Sequence, residues 1–457
     1  MWRLLFTLVV LPLVLPVGAV PQKILVLGDS QSEEYVFEVP FSAPDSDPTH
    51  ANISNWVEIL SAERGSGTVF NEVSFGNYDG SYLAYPDLRD GGYAFNWGVP
   101  GFTTSDWVSV RNQDSLPFPP TGSEAVAYAS RIRIVDQLEG DVGWAVIFCG
   151  GNDVNGDYGD YYKGTVTNAT LDGIRYNLKK LILFIKSTNP AVKIVLVNVP
   201  DVGVTPNVFT DPNHLDPAKR ATATAKIALL NNWLAALAAS ENVALVDYFG
   251  LTRQIAPTFE PGDFFYLNGT AFHKAADPEN PPNYLFAKDG FHPSTVAQAL
   301  VANLILDAMN DRYGTNFTLL PNREILSDVL GLDPDQPFLD WKSAHGVTGT
   351  AAADPDHDGV PLLVEFACGL DPAEPGPPPW TASPSAEPGT RMVFSFPGDQ
   401  SHGYALTTPE WSADLAPASW QPVPSSWLAA DGIRVYVKVP AAAGPRAFVR
   451  LRAAVAP

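Results

Sequence analysis

Four separated stretches of the sequence carry residue types that could together hydrolyse an ester. Ser30 ends a short GDS turn after an apolar run, and His292 lies in the stretch DGFHP. Attack by a hydroxyl needs a base, a group that orients the base, and donors where the oxyanion forms. His292 can be the base, and Asp289, three residues earlier, can accept from its imidazole. The backbone N–H of Gly101 and the side-chain amide of Asn152 can donate to the oxyanion.

Each of these residues also has a structural interpretation that needs no chemistry. Glycines in loops commonly form turns, Asn152 can cap a helix, and Asp289 can stabilise a turn. His292 can simply precede a helix, because Thr295 and Gln298 match the capping-box pattern. The order of the four stretches along the chain favours one common site over four unrelated turns.

Two of the four stretches follow predicted strands of a parallel sheet. Four runs rich in Val, Ile and Leu do not alternate polar and apolar residues, as expected of strands that are covered on both faces. These runs are Lys23–Leu27, Trp144–Phe148, Lys193–Val199 and Val243–Val246. Apolar residues at helical spacing follow in residues 174–185, 227–237 and 300–308. We therefore predict a three-layer α/β domain over residues 20–323, with Ser30 and Asn152 at the carboxyl ends of strands.

The sequence resembles the SGNH (GDSL-type) hydrolase superfamily, in its lipase/acylhydrolase branch, over roughly residues 23–310. Beyond the GDS and DGFHP stretches, the resemblance rests on NWVEILSAE, AFNWGVPGFTT, CGGNDV, VNVPDVGVTP and ALVDYFGLTRQI. It implies a flavodoxin-like α/β/α fold and a metal-free Ser-His-Asp triad. By this resemblance Ser30 is the nucleophile, Asp289 and His292 complete the triad, and Gly101 and Asn152 complete the oxyanion hole.

Two features near these motifs lead to further expectations. Gln31 stands where the family usually has an apolar residue, so we expect it to alter the rim of the pocket. The stretch from Phe75 to Trp107 is rich in aromatic residues and brackets Gly101. These rings are expected either to pack in the core or to line the substrate cleft; the candidates for the cleft are Tyr82, Tyr85, Tyr93 and Trp97.

A second candidate site lies downstream in DPDHDGVPLLVE, residues 354–365. Asp354, Asp356 and Asp358 fit ligand positions 1, 3 and 5 of a calcium loop that has glycine at position 6. Val360 offers a backbone carbonyl at position 7, and Glu365 offers a bidentate carboxylate at position 12. The stretch resembles the thrombospondin type 3 or dockerin-like repeats of secreted bacterial proteins. It predicts a structural Ca²⁺; the alternative is a solvated acidic loop.

The two ends of the chain differ from its middle. Residues 1–19 combine one Arg, an apolar run and small residues, which predicts a secretory signal peptide cleaved after Ala19. A membrane anchor is the alternative, but the run is short and contains Pro12 and Pro16. Residues 324–379 hold the calcium loop and a Pro-rich linker, and residues 380–457 are predicted to form a small β-module.

Composition narrows the function further. The formal net charge of -22 disfavours nucleic acid as a partner. Cys149 and Cys368, the two cysteines, are predicted to be buried thiols. We predict a secreted, periplasmic or extracellular serine esterase or lipase without a stable membrane anchor after signal cleavage, and without a catalytic cofactor.

The substrate of such an enzyme remains open at this stage. It could be a lipid, a small acyl ester or an acetylated polysaccharide. A polysaccharide acetyl esterase is the alternative enzyme, motivated by the aromatic stretch and the accessory module. The alternative of another class is a catalytically inactive binding protein on a hydrolase scaffold.

Overall fold

The computed structural model describes residues 20–37, 53–81, 83–115, 121–256, 263–279, 281–444 and 446–457. The predicted signal peptide and Tyr82 lie outside these ranges. The strands of the N-terminal part are β1 Gln22–Gly28, β2 Val73–Ser74, β3 Tyr78–Asp79, β4 Gly92–Tyr93, β5 Asn96–Gly98, β6 Trp144–Phe148, β7 Lys193–Val197, β8 Ala244–Val246, β9 Phe264–Leu267, β10 Thr270–Ala276 and β11 Tyr284–Phe286.

Helices connect these strands and follow the last of them. They are α1 Trp56–Glu63, α2 Thr104–Asn112, α3 Ser123–Glu139, α4 Gly151–Gly156, α5 Tyr158–Lys163, α6 Asn168–Thr188, α7 Pro206–Phe209, α8 Pro217–Glu241, α9 Tyr248–Ile255, α10 Thr295–Tyr313, α11 Asn322–Glu324, α12 Gln336–Ala344 and α13 Leu362–Cys368. Within the described ranges, no helix is long and apolar enough to cross a membrane.

The central sheet is parallel and has the strand order β2-β1-β6-β7-β8. The strand β5 pairs with the carboxyl-terminal half of β1, beyond the short pairing with β2. This order corresponds to the flavodoxin-like arrangement, in which ligands bind at the carboxyl ends of the strands. The predicted fold class is therefore confirmed, and the four predicted strands are β1, β6, β7 and β8.

Helices cover both faces of the sheet, because its buried strands direct alternate side chains to opposite sides. Leu25, Leu27 and Ile147 pack with α2, α3, α6 and α8 on one face. Ile24 and Val26 pack with α1, α9 and α10 on the other face. The core of this second face continues to residues 325 and 326, just beyond the predicted end of the domain at residue 323.

Side-chain caps fix the starts of two helices near the site. Asn55 and Glu58 form a capping box at the start of α1. Thr103 and Asp106 form another at the start of α2, three residues after the glycine predicted to donate to the oxyanion. Such boxes satisfy backbone N–H groups that have no partner within the helix. The position of the loop before α2 is therefore determined by its own sequence.

The C-terminal part consists of two antiparallel sheets, as predicted for an all-β module. Its strands are β12 Thr381–Pro384, β13 Thr390–Pro397, β14 Ala405–Ser412, β15 Gln421–Pro422, β16 Leu428–Ala430, β17 Arg434–Pro440 and β18 Phe448–Val455. The sheets have the orders β12-β13-β17-β16 and β15-β14-β18. Phe394 and Val437 of one sheet share a core with Trp411 and Leu451 of the other. Cys149 and Cys368 are both free and buried.

Candidate active site

A tight turn at the end of β1 holds Ser30. The backbone carbonyl of Asp29 accepts hydrogen bonds from the N–H groups of Ser32 and Glu33, at 2.9 and 3.1 Å. A Cβ at Gly28 would lie 2.6 Å from the Cβ of Ser32, so the turn closes only because this position has no side chain. The indole N–H of Trp107 in α2 donates to the Gly28 carbonyl at 3.0 Å. The turn is therefore fixed from two sides.

The loop between β11 and α10 brings His292 to Ser30. The Ser30 Oγ atom lies 2.8 Å from His292 Nε2, and His292 Nδ1 lies 2.6 Å from Asp289 Oδ2. The other carboxylate oxygen, Oδ1, accepts from the backbone N–H groups of Phe291 and His292, both at 3.0 Å. Asp289 is thus both a turn residue and the partner of the imidazole.

The electrostatics of Asp289 favour its ionised form. Burial is the largest single effect and raises the pKa of this carboxyl, but the hydrogen bond and charge of His292 together with the backbone donors outweigh it, so the pKa lies below its ordinary value. An ionised Asp289 accepts from Nδ1–H of the imidazole. The lone pair of Nε2 then faces the hydroxyl of Ser30.

Residues that sequence analysis missed hold the His292 loop in place. The hydroxyl of Tyr35 donates to the Pro293 carbonyl at 3.1 Å, and the ring of Tyr35 meets His292 edge-on. Gln298 donates to the Tyr35 hydroxyl at 2.7 Å. The alternative of a capping box formed by Thr295 and Gln298 is therefore wrong: α10 begins at Thr295 with Ser294 as its cap, and Gln298 connects α10 to the turn after β1.

Two backbone N–H groups near the serine make no hydrogen bond to the described parts of the chain. They belong to Ser30 and Gly101. Gly101 has a φ of 73°, in the left-handed region that favours glycine, and a Cβ there would meet no atom within 4 Å. The side-chain amide of Asn152 donates to the Phe102 carbonyl at 3.0 Å, which leaves its second N–H available. Asn152 is not the cap of α4, because that position is Gly150.

The residue after Asn152 connects the same two loops. Asp153 Oδ2 accepts from the backbone N–H of Thr104 at 2.8 Å, and Oδ1 accepts from its hydroxyl at 2.7 Å. Burial raises the pKa of Asp153, and the hydrogen bonds from Thr104 oppose this effect. The loops that carry Gly101 and Asn152 are thus joined by two side-chain contacts. The sequence could have indicated this contact, because Asp153 directly follows Asn152.

A further carboxyl group is buried beside the serine. Burial raises the pKa of Asp29 to about 7, and the charge of Asp153 adds to this effect. The hydrogen bond from the backbone N–H of Gln31 and the charge of His292 act in the opposite direction. Asp29 therefore titrates in the neutral range beside the serine.

Gln31 does not form the rim of a pocket, so that expectation is wrong. Its side chain is buried, and its Oε1 atom accepts from the hydroxyl of Tyr248 at 2.9 Å. Tyr248 lies in α9, on the face of the sheet opposite α2. A polar residue is tolerated at this buried position because the tyrosine hydroxyl supplies a partner.

Most of the aromatic stretch builds the core. Trp97 is fully buried, and its indole N–H donates to Gln137 at 2.8 Å. The guanidinium group of Arg89 lies between the rings of Trp97 and Tyr85. Tyr93 packs against Phe75 and the exposed Tyr78. The expectation that Trp97 lines the substrate cleft is therefore wrong, and its packing alternative is the correct one.

The predicted calcium residues lie together between the two parts of the protein. Asp354, Asp356 and Asp358 each place a carboxylate oxygen within 4.8 Å of the others. Both carboxylate oxygens of Glu365 are buried and have no hydrogen-bond partner among the described residues, and the residue is only 1% exposed. Burial raises the pKa of Glu365 to about 7, and the three aspartates add to the effect. Val360 is buried beneath the loop.

Hard oxygen donors of this kind suit Ca²⁺. Asp354 Oδ1 and Asp356 Oδ2 are also buried and have no partner in the part of the chain that the structure describes, while Asp358 accepts from the N–H groups of Val360 and Gly376. The glycine at position 6, Gly359, has a φ of 90°. These residues fit the group that the sequence predicts.

The parallel sheet with helices on both of its faces defines a three-layer α/β fold. A model of the GDSL-like lipase/acylhydrolase family matches residues 60–300, more than half of the chain, and the chain belongs to this family. The matched region contains Gly101, Asn152, Asp289 and His292, and it begins after Ser30. A comparison with curated proteins gives no match.

Solved structures resemble the hydrolase part at low identity. LAE5, an α/β hydrolase from the metagenome of Lake Arreo, is 16% identical over 64% of this chain and 96% of its own, with a TM-score of 0.34. The acetylxylan esterase Axe2 of Geobacillus stearothermophilus is 16% identical over 65% and 98%, with a TM-score of 0.32. The acetyl xylan esterase AlAXEase is 14% identical over 63% and 98%, with a TM-score of 0.33.

Proposed function

We propose that the protein is a secreted serine esterase that hydrolyses carboxylic esters through an acyl-Ser30 intermediate. The observation that carries the proposal is the continuous contact from Ser30 Oγ to His292 Nε2 and from His292 Nδ1 to Asp289 Oδ2. A hydroxyl paired with an oriented base is the arrangement that activates a serine.

In the first half-reaction, Ser30 Oγ attacks the ester carbonyl carbon while His292 Nε2 takes the hydroxyl proton. The carbonyl oxygen becomes an oxyanion, which accepts hydrogen bonds from the N–H groups of Ser30 and Gly101 and from the amide of Asn152. The bond to the alcohol oxygen then breaks, and His292 returns the proton to that oxygen. The alcohol leaves, and the acyl group remains on Ser30.

In the second half-reaction, water replaces the alcohol. His292 Nε2 takes a proton from water as the water oxygen attacks the acyl carbon. The same donors bind the second oxyanion, and the bond to Ser30 Oγ breaks as His292 protonates it. The products are a carboxylic acid and the restored serine. Asp289 stays ionised and stabilises the imidazolium in both halves.

The experiment is the variant Ser30→Ala, assayed on a small aryl acetate. We expect the loss of several orders of magnitude in kcat with an unchanged melting temperature. Ser109→Ala, a substitution at an exposed serine of α2, is the matched control. A fluorophosphonate should label wild-type Ser30 covalently, as read by peptide mass spectrometry. A folded Ser30→Ala protein that keeps substantial turnover would refute the assignment.

The same labelling distinguishes the enzyme from an inactive binding protein on a hydrolase scaffold. An inactive scaffold would show neither turnover nor labelling. The contact between Ser30 and His292 supports the enzyme. Export after cleavage behind Ala19 is the second part of the proposal; the N-terminal residue of the mature protein, read by mass spectrometry of exported material, tests it.

We also propose that Asp354, Asp356, Asp358, Glu365 and the carbonyl of Val360 hold a structural Ca²⁺. The carboxylate of Glu365, buried and without a hydrogen-bond partner among the described residues, supports this assignment, since an isolated buried charge is costly unless it is paired or bound to a metal. The triad mechanism has no step that needs this ion.

A further inference from the structure

A cleft begins at Asn152 and runs between the starts of α2 and α6. Its volume is about 400 Å³, and it is bordered by the loop after α4. Seven of its eleven lining residues carry polar side chains, and Ile174 is the largest apolar side chain among them. The helices around it pack on the face of the sheet opposite α10, the helix that follows the catalytic histidine. The cleft shares Asn152 with the proposed oxyanion donors, whereas Ser30, Gly101 and His292 are not among the described residues that line it.

The lining of the cleft offers hydrogen-bond acceptors. The amide oxygens of Asn152 and Asn177 and the carboxylate of Asp157 accept no hydrogen bond from the described residues. Asp153, by contrast, is occupied by its two contacts with Thr104. No Lys, Arg or His is among the described residues that line the cleft. Such a lining matches a ligand that donates hydrogen bonds and carries no negative charge.

The same lining is unsuited to a long acyl chain. An alkyl chain gains binding energy by burying apolar area, about 25 cal/mol per Å², but more than half of the exposed lining of this cleft is polar. Polar groups that lose water to an alkyl chain without a new partner are penalised. A ring that carries several hydroxyl groups can instead satisfy the free acceptors.

From these observations we infer that the cleft is a subsite for an uncharged, hydroxylated ring of the substrate, so that the protein acts on acyl esters of oligosaccharides or polysaccharides. This inference rests on the proposed esterase function and specifies its substrate class. The cleft supports it independently of the aromatic stretch, whose two tryptophans, Trp97 and Trp107, are buried in the core.

Gly173 in α6 provides the test, because a Cβ there would meet no atom within 4 Å. The side chain of a Gly173→Leu variant would extend into the cleft, and leucine is a better helix former than glycine. Gly156→Leu, at the opposite side of the cleft, would fill it independently. Gly159→Leu in α5 is the matched control, since its position is open, with the Lys163 Nζ atom nearest at 3.9 Å, and does not line the cleft.

We would measure kcat/KM for partially acetylated oligosaccharides, an aryl acetate and an aryl octanoate. For the wild type we expect the oligosaccharides to exceed the octanoate by about tenfold or more. Gly173→Leu and Gly156→Leu should lower kcat/KM for the oligosaccharides about tenfold more than for the aryl acetate, mainly through KM. Gly159→Leu should change neither value.

Two results would overturn the inference. In the first, the wild type prefers the octanoate to the oligosaccharides and Gly173→Leu removes this preference. The cleft would then hold an acyl chain. The other is an unchanged ratio between oligosaccharide and aryl acetate in both cleft variants. Absence of turnover on every ester, the aryl acetate included, would instead refute the esterase itself, and this inference with it.

Discussion

The substitution Asp289→Asn would separate the role of this residue in the loop from its role toward His292. Oδ1 accepts the two backbone N–H groups of the loop at 3.0 Å, and an asparagine oxygen can keep both contacts. The amide nitrogen then replaces Oδ2, which lies 2.6 Å from His292 Nδ1. Since that nitrogen can only donate, Nδ1 must become the acceptor, and the ring proton moves to Nε2. Nε2 would then donate toward Ser30 Oγ and could not take its proton.

We therefore expect kcat to fall by about 10³ to 10⁴, which corresponds to about 4 to 5 kcal/mol in the activation free energy. KM for an aryl acetate and the melting temperature should change little, because the loop contacts remain. Asp289→Ala should lose the same activity and also stability, since both loop contacts disappear. Asp311→Asn, exposed on α10, is the control. A folded Asp289→Asn protein with kcat within about tenfold of the wild type would refute this role of the carboxylate.

Two further predictions concern stability. Calcium should raise the melting temperature of the wild type. At a hundredfold excess over its dissociation constant, the ion should stabilise the folded state by about 2.7 kcal/mol. Glu365→Gln should abolish this shift in melting temperature, and the control Glu374→Gln should keep it. A shift in Glu365→Gln equal to that of the wild type would contradict the calcium site. If chelation stopped aryl acetate hydrolysis while the protein stayed folded, the purely structural role of the ion would be contradicted. Burial raises the pKa of Glu34 from an ordinary value of 4.5 to about 7. Protonation of Glu34 therefore stabilises the folded state fully below about pH 4.5, and this stabilisation is lost as the pH rises through about 7. The glutamine of Glu34→Gln can still accept from the Tyr93 N–H. Calorimetry should show that this variant loses less stability between about pH 5 and 8 than the wild type does, by up to about 3 kcal/mol. If its stability depended on pH in the same way as that of the control Glu139→Gln, this reasoning would be contradicted.

The strands that hold the candidate site could be predicted because each contains several consecutive apolar residues. β1 and β6 are long enough to show the pattern of a strand covered on both faces, and Ser30 and Asn152 follow them directly. β2 and β5 have two and three residues, which is too few for any periodicity to appear. The sheet β9-β10-β11, inserted before the His292 loop, was missed because its strands are partly exposed and mix aromatic with polar residues.

The contacts that support the site could not be predicted because their partners are distant in sequence. Gln31 and Tyr248 are 217 positions apart, and Tyr35 and Gln298 are 263 apart. Nothing local marks a glutamine as the partner of a particular tyrosine. The resemblance marked Gln31 as unusual, because it stands where the family usually has an apolar residue. It could not indicate that a tyrosine from another helix would satisfy that residue in the core.

The helix α2 contacts the elements that carry the proposed nucleophile and the proposed oxyanion donors. Its Trp107 holds the carbonyl at the end of β1, two residues before Ser30. Its first residue, Thr104, is bound through backbone and hydroxyl to Asp153, directly after Asn152. Gly101 precedes the same helix by a single short loop that its capping box fixes. One helix therefore contacts the turn that carries Ser30, the loop that carries Gly101 and the residue after Asn152. The relative positions of these three groups depend on contacts made by α2 as well as on the sheet strands that precede Ser30 and Asn152.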